Sequence, residues 1–272
     1  MSDSLKNKTV LITGASSGIG EALAMEFAAR GARLVLCARR EERLARLVST
    51  IESRGGRAIA ARCDVNREGD VERAVQAATA RFGALDVAVA NAGFGVVGAF
   101  SSLTLEDYRR QFETNVFGLV RTVYAVMPAL KRSKGRLAFT GSITSYFSAP
   151  ASSAYSMSKF AVRALAEALE HELRPAGVSV TLLSPGLVVS ELRKVDNAGV
   201  FHARATTGPT RLHMPADVAA RKLVGAIACR RREIVITAHG KILVFLAQHM
   251  PFVLRLLFRM GLKGRGAVEL PG

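Results

Sequence analysis

The sequence predicts a single α/β domain in which a parallel β-sheet carries helices on both faces, followed by a helical C-terminal extension. Apolar, β-branched runs of four or five residues recur along the chain and indicate buried strands. The segments between them place apolar residues three and four positions apart, as amphipathic helices do. No linker rich in Pro, Gly or Ser breaks this alternation before about Gly186, which favours one doubly wound core.

Strand and helix alternate in chain order. Strands are predicted at 9–13, 33–37, 58–62, 87–90, 136–140 and 179–183, with a seventh at 233–237. Helices are predicted at 20–29, 41–54, 69–81, 105–130 and 156–173. We expect residues 1–240 to form the sheet domain and residues 241–272 to form the extension, with an irregular stretch at 193–215 acting as a lid over substrate.

The composition is that of an ordinary globular protein. With 49% hydrophobic and 22% charged residues, wholesale disorder and collagen-like folds are excluded. Three scattered cysteines and five dispersed histidines lack disulfide or metal-ligand spacing, so no metal is expected. The first nine residues contain no apolar run of a secretory signal, and we expect a cytoplasmic protein.

The net charge of +16 favours anionic partners. Half of the excess lies in residues 221–272, which carry ten basic and two acidic side chains. A nucleic-acid-binding protein is one alternative, but neither basic residues interleaved with aromatics nor a nucleic-acid fold motif supports it. We therefore expect no nucleic acid among the partners.

A glycine-rich turn follows the first predicted strand and opens the first helix. Gly14, Gly18 and Gly20 have the spacing Gly-x3-Gly-x-Gly. Glycine permits the tight turn, the close approach of backbone to a pyrophosphate and the packing of helix on strand, and the helix N-terminus favours an anion. Strand, glycine turn and helix in this order predict a dinucleotide site, to which Ser16, Ser17 and Ile19 also contribute.

Further motifs follow the later strands. They are Cys63-Asp64-Val65, Asn91-Ala92-Gly93, Asn115, Ser142, Tyr155 with Lys159, and Pro185-Gly186. In order and spacing the chain resembles the short-chain dehydrogenase/reductase family over about residues 5–191. The resemblance implies that Asp64 and Val65 hold the adenine and that the Asn91-Ala92-Gly93 turn lies along the ribose. It also implies that backbone from Pro185 to Val188 meets the carboxamide, with Ser190 where the family often has threonine.

The residues at the end of the second strand indicate whether the protein binds NAD(H) or NADP(H). An NAD enzyme has a carboxylate there to hold the ribose 2′-hydroxyl. This chain has Ala38 at that position, followed by Arg39 and Arg40, whose planar guanidinium groups can pair with a 2′-phosphate. The sequence therefore predicts NADP(H). The alternative is that both arginines simply begin a solvated helix.

The catalytic chemistry needs a group that donates and accepts a proton near neutral pH. A tyrosine has an ordinary pKa of ~10, and lowering it by ~3 units takes ~4 kcal/mol of stabilisation of the phenolate. Tyr155 and Lys159 are four residues apart on a predicted helix, so the ammonium can supply this stabilisation. Ser142 can polarise the substrate oxygen, and the resemblance implies that Asn115 holds a water connected to Lys159, which in the family also binds the cofactor's ribose. Ser145, Ser152, Ser153 and Ser158 are interpreted as turn, cap or packing residues.

The residues expected at the pocket mouth are apolar. They are Phe94, Val96, Val97, Phe147 and residues 187–189. An NADP(H)-dependent oxidoreductase acting on a lipophilic ketone or secondary alcohol is predicted, with steroid-, 3-oxoacyl- and lipid-like substrates all open. The alternative from another class is a non-catalytic NADP(H)-binding sensor. A homodimer or homotetramer is implied by the resemblance.

The extension is apolar and cationic, but charged and polar residues break its apolar run before the length of a bilayer span. On a helical wheel Lys241, Gln248, Arg255 and Arg259 form one stripe beside a wide apolar face. This pattern is typical of a helix lying in a membrane interface, in one piece or in two pieces hinged at Pro251. Some hydroxysteroid dehydrogenases of the resembled family dock on membranes in this way. A homodimer interface or a cover over the substrate pocket is the open alternative.

Overall fold

The computed structural model describes residues 5–189 and 213–263, with side chains up to 260. Seven parallel strands form one sheet in the order β3-β2-β1-β4-β5-β6-β7. The strands are β1 Thr9–Thr13, β2 Arg33–Ala38, β3 Arg57–Arg62, β4 Val87–Ala90, β5 Arg136–Thr140, β6 Ser179–Ser184 and β7 Glu233–Val235. The doubly wound parallel sheet predicted from the sequence is confirmed.

Helices cover both faces of the sheet. They are α1 Gly18–Ala29, α2 Glu41–Glu52, α3 Asp70–Phe82, α4 Leu105–Phe112, α5 Gly118–Ser133, α6 Ser153–Leu173, α7 Ala216–Ala228, α8 Ala238–His249 and α9 Pro251–Lys263. Alternate strand residues face opposite sides, so Val10 and Ile12 pack with α1, α2 and α7, whereas Leu11 packs with α3, α5 and α6. The central strands are buried on both faces for this reason, whereas β3 and β7 lie at the edges of the sheet and are partly exposed. The expectation that 58–62 is a buried strand is therefore wrong except at Ala58.

The strand order reverses between β1 and β4, which leaves a crevice at the carboxyl ends of these strands. The motifs singled out from the sequence follow carboxyl ends of strands or lie on the helix after β5, except for Asn115, which lies in a turn between α4 and α5. The fold therefore gathers them at one edge of the sheet.

The helix predicted at 105–130 is not continuous. A π-helical turn, Glu113–Phe117, separates α4 from α5, and Asn115 within it is buried. The spacing of apolar residues is helical both before and after the turn. The sequence pattern therefore does not show that one turn between them is π-helical. The seventh strand is also shorter than predicted, because Thr237 caps the N-terminus of α8 instead of extending β7.

The extension begins three residues earlier than the predicted boundary, at Ala238, and it comprises α8 and α9. The two helices meet at Pro251 with a bend of 119°. In the described ranges no single helix has the length and apolarity to cross a bilayer; only α8 and α9 taken together pass that test. Lys241 and Gln248 therefore lie on a different helix from Arg255 and Arg259. Of the two forms left open for the extension, two pieces hinged at Pro251 are confirmed and the single continuous helix is wrong.

One side of the extension packs on the sheet domain. Val244 of α8 and Leu254 of α9 are buried, and the ring of Phe258 lies 5.9 Å from the ring of Phe147, measured between centroids. The other side exposes large apolar side chains: Ile242, Phe245, Phe252, Leu256, Leu257 and Met260.

Candidate active site

The glycine turn between β1 and α1 has no room for side chains. Gly14 and Gly18 have positive φ angles of 67° and 59°, which glycine adopts without strain. A Cβ at Gly14 would lie 2.8 Å from Ala92 Cα, and a Cβ at Gly20 would overlap the carbonyl oxygen of Gly14. The turn thus brings bare backbone to the N-terminus of α1, where unpaired N–H groups and the helix dipole favour a phosphate.

Asn91 joins this turn to the neighbouring strands. Its Nδ2 donates to the carbonyl oxygens of Thr13 at 3.0 Å and Gly14 at 3.3 Å, while its Oδ1 accepts from Thr140 Oγ1 at 3.1 Å. Thr13 Oγ1 in turn accepts the backbone N–H groups of Asn91 and Ala92. The carboxyl ends of β1, β4 and β5 are therefore held together by one side-chain network.

Arg40 reaches from the end of β2 back to the glycine turn. Its Nη2 donates to Ser17 Oγ at 2.7 Å and to Ser16 Oγ at 3.0 Å. Arg39 is exposed beside it. The Arg40 guanidinium and two hydroxyls of the glycine turn thus lie together, with Arg39 next to Arg40 at the end of β2.

The carboxylates that follow these arginines are paired elsewhere. Glu41 lies 3.3 Å from Arg62 Nε, and Glu42 lies 3.6 Å from an Nη atom of Arg46. The short methyl side chain of Ala38 is buried at the end of β2. The position at which an NAD enzyme carries an acid therefore holds no charge of its own.

The loop after β3 is shaped by a residue that the sequence analysis does not single out. The carboxylate of Asp70, which is buried, accepts the backbone N–H of Asp64 at 2.8 Å. Asp64 Oδ1 accepts the N–H of Asn66, and a Cβ at Gly118 would lie 2.7 Å from Val65 Cγ2. Asp64 and Val65 are therefore fixed next to the start of α5.

Tyr155 and Lys159 share the N-terminal part of α6. Lys159 Nζ lies 5.7 Å from the centroid of the Tyr155 ring and donates to the carbonyl oxygen of Thr140 at 2.8 Å. Burial lowers the pKa of Lys159 to about 8. The ammonium is accordingly present at pH 7 and is lost as the pH rises through about 8.

Ser142 begins a 3₁₀ turn, Ile143–Ser145, directly after β5. Its Oγ accepts the N–H of Thr144 at 3.1 Å, and its own N–H donates to Ser145 Oγ at 3.2 Å. Ser142 is buried, two residues after the Thr140 carbonyl that holds Lys159. The turn keeps the hydroxyl of Ser142 at a fixed place close to the end of β5.

A second tyrosine follows this turn and is anchored away from Lys159. The Tyr146 hydroxyl is hydrogen-bonded to Glu233 and Ser184, and the guanidinium of Arg163 lies 4.2 Å above its ring. Burial, and then the hydrogen bond to Glu233, raises the pKa of Tyr146 well above its ordinary value. Tyr146 therefore stays protonated and braces the turn instead of exchanging protons.

Asn115 connects the π turn to α6 and to the loop after β4. Its Oδ1 accepts the N–H of Phe94 at 3.1 Å, and its Nδ2 donates to Phe94 O at 3.0 Å and to Ser158 Oγ at 3.2 Å. Ser158 Oγ donates to the carbonyl oxygen of Tyr155 at 2.7 Å. Ser158, interpreted as a packing or cap residue, is thus the link between Asn115 and the helix that carries Tyr155.

Gln111, which lies one helical turn before Asn115, also holds the loop after β4. Its fully buried amide accepts the N–H of Val96 at 2.6 Å and donates to Phe94 O at 3.0 Å. The sequence signal for it was an amide four residues before Asn115, on the same side of the predicted helix.

The loop after β6 lies against the first turn of α8. Pro185 O accepts the N–H of Ile143 at 3.1 Å, and the N–H of Leu187 donates to His239 Nε2 at 3.3 Å. Val188 forms an isolated parallel bridge with Met214, which leads into α7. Ser190 and most of the predicted lid lie outside the described residues.

The expected apolar mouth is only partly accessible. Val97 and Val189 are exposed, whereas Val96 is fully buried, so the expectation that Val96 lines the mouth is wrong. The backbone bond to Gln111 explains this, because it draws the chain at Val96 into the interior. Phe94 lies under the guanidinium of Arg110, at 5.2 Å, and Phe147 packs on Phe258 of α9.

The described part of the chain contains no group of three or more His, Cys, Asp and Glu side chains that could hold a metal ion.

Comparisons with known proteins agree with the motifs. A family profile described as short chain dehydrogenase matches residues 8–200. The 11-beta-hydroxysteroid dehydrogenase A of Sesamum indicum is 38% identical over 202 residues, which cover 73% of this chain and 58% of that relative.

Two solved structures show the same architecture with different cofactors. A short chain dehydrogenase/reductase from Burkholderia phymatum in complex with NAD has a TM-score of 0.78 at 28% identity, covering 99% of both chains. An alcohol dehydrogenase from the archaeon Thermococcus sibiricus, complexed with 5-hydroxy-NADP, has a TM-score of 0.73 at 29% identity, covering 85% of this chain and 96% of that one. With its motifs, its strand order and these matches, the chain belongs to the short-chain dehydrogenase family of oxidoreductases.

Proposed function

We propose that the protein is an NADP(H)-dependent oxidoreductase that interconverts a lipophilic ketone and the corresponding secondary alcohol. The observation that carries the proposal is a continuous chain of contacts from the catalytic lysine to the glycine turn. Lys159 bonds to the carbonyl of Thr140, the Thr140 hydroxyl bonds to Asn91, and Asn91 bonds to Thr13 and Gly14. The proton-transfer groups and the dinucleotide-binding turn are thereby joined by hydrogen bonds along one edge of the sheet.

The residues present fit a dinucleotide with a nicotinamide ring. Gly14 and Gly20 let the turn pack directly on Asn91 and Ala92, because a Cβ at either glycine would collide with Gly14 O or Ala92. The N-terminus of α1 is held at this turn, where its first backbone N–H groups can donate to a pyrophosphate. When bound, the cofactor supplies or accepts the hydride. Gly14, Ser16, Ser17, Gly18, Ile19 and Gly20 would hold its phosphates, and Asp64, Val65, Asn91, Ala92 and Gly93 would border its adenosine half. Lys159 would bind the nicotinamide ribose, beside backbone from Pro185 to Val188.

Tyr155 donates the proton to the substrate oxygen in reduction and accepts it in oxidation. The ammonium of Lys159 lies beside the Tyr155 ring and would stabilise the phenolate form during proton transfer. The hydroxyl of Ser142 donates a hydrogen bond to the same substrate oxygen as charge develops on it. Asn115 acts through Ser158 and the Phe94 backbone, which fix α6 relative to the wall of the pocket.

Absorbance of NADPH in the presence of a panel of lipophilic ketones tests this proposal. Oxidation of NADPH with at least one ketone is expected. Tight NADPH binding without turnover across steroid-like, 3-oxoacyl and other lipid-like ketones would instead favour a non-catalytic sensor.

The apolar exposed side chains of Val97 and Val189 support a lipophilic substrate.

The preference for NADP(H) rests on the residues that follow β2. Replacing Ala38 by Asp and Arg39 by Ala puts a carboxylate where the 2′-phosphate would lie and removes one guanidinium. We expect NADPH binding to weaken by about 1.5 to 3 kcal/mol, the range for hydrogen bonds to charged groups, with NADH binding unchanged or improved. Titration of both cofactors by fluorescence measures this. Equal affinity of the wild-type protein for NADH and NADPH would contradict the assignment.

We also propose that the enzyme is cytoplasmic and associates peripherally with an anionic membrane, and the exposed side of the extension supports this association. Phe252, Leu256 and Met260 of α9 are exposed together with Arg255 and Arg259. Apolar side chains at an interface gain ~1.5 to 3 kcal/mol each on full burial, and each nearby cation gains ~1 kcal/mol on anionic lipid. The opposite, buried side of the extension packs against Phe147. One side of the extension therefore covers the sheet domain, and the other side is free to contact a membrane.

Vesicle sedimentation tests the membrane proposal. The wild-type protein should pellet with phosphatidylserine vesicles and resist release by salt, since screening leaves apolar burial intact. Phe252→Ser with Leu256→Ser should weaken the partition coefficient at least about tenfold, which corresponds to ~1.4 kcal/mol. Leu105→Ser, at an exposed leucine of α4, is the matched control and should bind as the wild type does. The membrane proposal would be contradicted if the wild-type protein stayed in the supernatant and the double variant changed its oligomeric state. The exposed surface of α9 would then bind another protein subunit.

A homodimer or homotetramer is also proposed from the family resemblance. Exposed apolar side chains support an interface between copies: Phe117 of the π turn, Tyr124 of α5, and Met157 and Phe160 of α6. Sedimentation equilibrium measures the state directly.

A further inference from the structure

The first turn of α8 is built into the candidate active site. Thr237, almost fully buried, caps the helix by accepting the N–H of Gly240 at 3.2 Å. A Cβ at Gly240 would lie 2.9 Å from Ile143 Cγ2, in the 3₁₀ turn that follows Ser142. A Cβ at Gly186 would overlap Thr237 Oγ1 and lie 2.9 Å from His239 Nε2. The start of the extension is therefore wedged between the Ser142 turn and the loop after β6.

His239 is the side chain through which α8 holds that loop. Its Nε2 accepts the N–H of Leu187 at 3.3 Å. The carbonyl oxygen of Leu187 accepts the N–H of Met214 at 2.9 Å, and the N–H of Val189 donates to Met214 O at 3.0 Å. Both polar groups of Leu187 are thus engaged, one by the extension and the other by the segment that leads into α7.

We propose that His239 is a positioning residue for the nicotinamide end of the cofactor site, acting through the backbone of Leu187. The inference rests on the proposed function, in which backbone from Pro185 to Val188 meets the carboxamide. With the N–H of Leu187 fixed by His239 and its carbonyl fixed by Met214, the peptide groups on both sides of Leu187 are held in one orientation before cofactor binds. The extension, which lies beyond the residues that the family profile matches, thereby contributes to cofactor affinity.

The charge state of the imidazole agrees with this role. Nε2 can accept a hydrogen bond only while it carries no proton. Burial, and then the nearby His213, lowers the pKa of His239. The neutral acceptor form is therefore favoured at pH 7.

Three variants separate positioning from packing. His239→Leu fills a similar space without an acceptor. His239→Gln places an amide oxygen that can accept the Leu187 N–H. His249→Leu, at the exposed end of the same helix, is the matched control, because its ring contacts Phe245 and not the loop. Each is measured for hydrogen exchange at the Leu187 amide without cofactor, for the Kd of NADPH by fluorescence, and for KM and kcat.

For His239→Leu we expect faster exchange at Leu187 and a Kd and KM for NADPH raised about three- to tenfold, with kcat changed less. His239→Gln should restore most of the affinity, and His249→Leu should match the wild type. Unchanged exchange and Kd in His239→Leu would overturn the inference, as would a glutamine variant no better than leucine. Failure of the wild-type protein to bind NADPH would instead refute the proposed function, and with it this role.

Discussion

Replacing Tyr155 by phenylalanine is expected to reduce turnover at least ~1,000-fold while leaving NADPH binding within about twofold. General acid–base catalysis by a positioned side chain contributes roughly 10² to 10⁴-fold, and phenylalanine removes only the hydroxyl that transfers the proton. The ring remains to fill its place beside Lys159. Rates of NADPH oxidation and a fluorescence titration of NADPH measure the two quantities on the same protein.

Tyr124→Phe is the control for this variant, because Tyr124 is an exposed tyrosine of α5. It should retain wild-type turnover. Lys159 adds a dependence on pH: its ammonium is lost as the pH rises through about 8, so ketone reduction by the wild type should decline above that pH. Turnover by Tyr155→Phe close to the wild-type rate would refute the catalytic assignment.

Gly20→Ala is expected to damage both stability and cofactor binding. The new Cβ would overlap Gly14 O and lie 2.7 Å from Asn91 Nδ2, so the glycine turn must move away from α1. Overpacking of this kind costs about 1 to 3 kcal/mol, which lowers Tm by about 2 to 4 °C per kcal/mol in a chain of this size. The same movement breaks the bonds from Asn91 to the turn, and we expect the Kd of NADPH to rise more than about tenfold.

Gly225→Ala is the matched control, since Gly225 also lies within a helix and a Cβ there would meet nothing within 4 Å. Alanine is favoured over glycine in helices by about 0.5 to 1 kcal/mol, so Tm should rise slightly and cofactor binding should not change. Thermal unfolding with and without NADPH distinguishes the two variants. If Gly20→Ala bound NADPH as tightly as the wild type, the turn would not be the phosphate site.

The strands and the glycine turn could be predicted because their signals are local. Buried parallel strands appear as short apolar runs, and Gly14, Gly18 and Gly20 stand in the one context, strand then helix, that gives the spacing meaning. Asn115 could be recognised only by resemblance. Its π turn could not be predicted, because one wider turn leaves the apolar spacing on either side intact.

The supporting residues of the site depend on contacts between distant parts of the chain. Gln111, Asp70 and His239 act on the loops after β4, β3 and β6, and each acts by accepting a backbone N–H. Helical spacing relates Gln111 to Asn115, but it does not indicate which distant backbone N–H group Gln111, Asp70 or His239 accepts. The bend at Pro251 is a related case: it could be anticipated from proline, but the packing of Phe258 on Phe147 depends on the direction in which the chain returns.

Transfer of deuterium from NADPH labelled at C4 of the nicotinamide ring to a ketone product tests the central claim most directly. Mass spectrometry of the alcohol formed from a reactive ketone reads the result without relying on absorbance. We predict one deuterium on the carbinol carbon with the wild-type protein, and no deuterated alcohol above background with Tyr155→Phe. A wild-type protein that binds NADPH but yields no deuterated alcohol from any ketone of the panel would contradict the assignment as an oxidoreductase of lipophilic ketones.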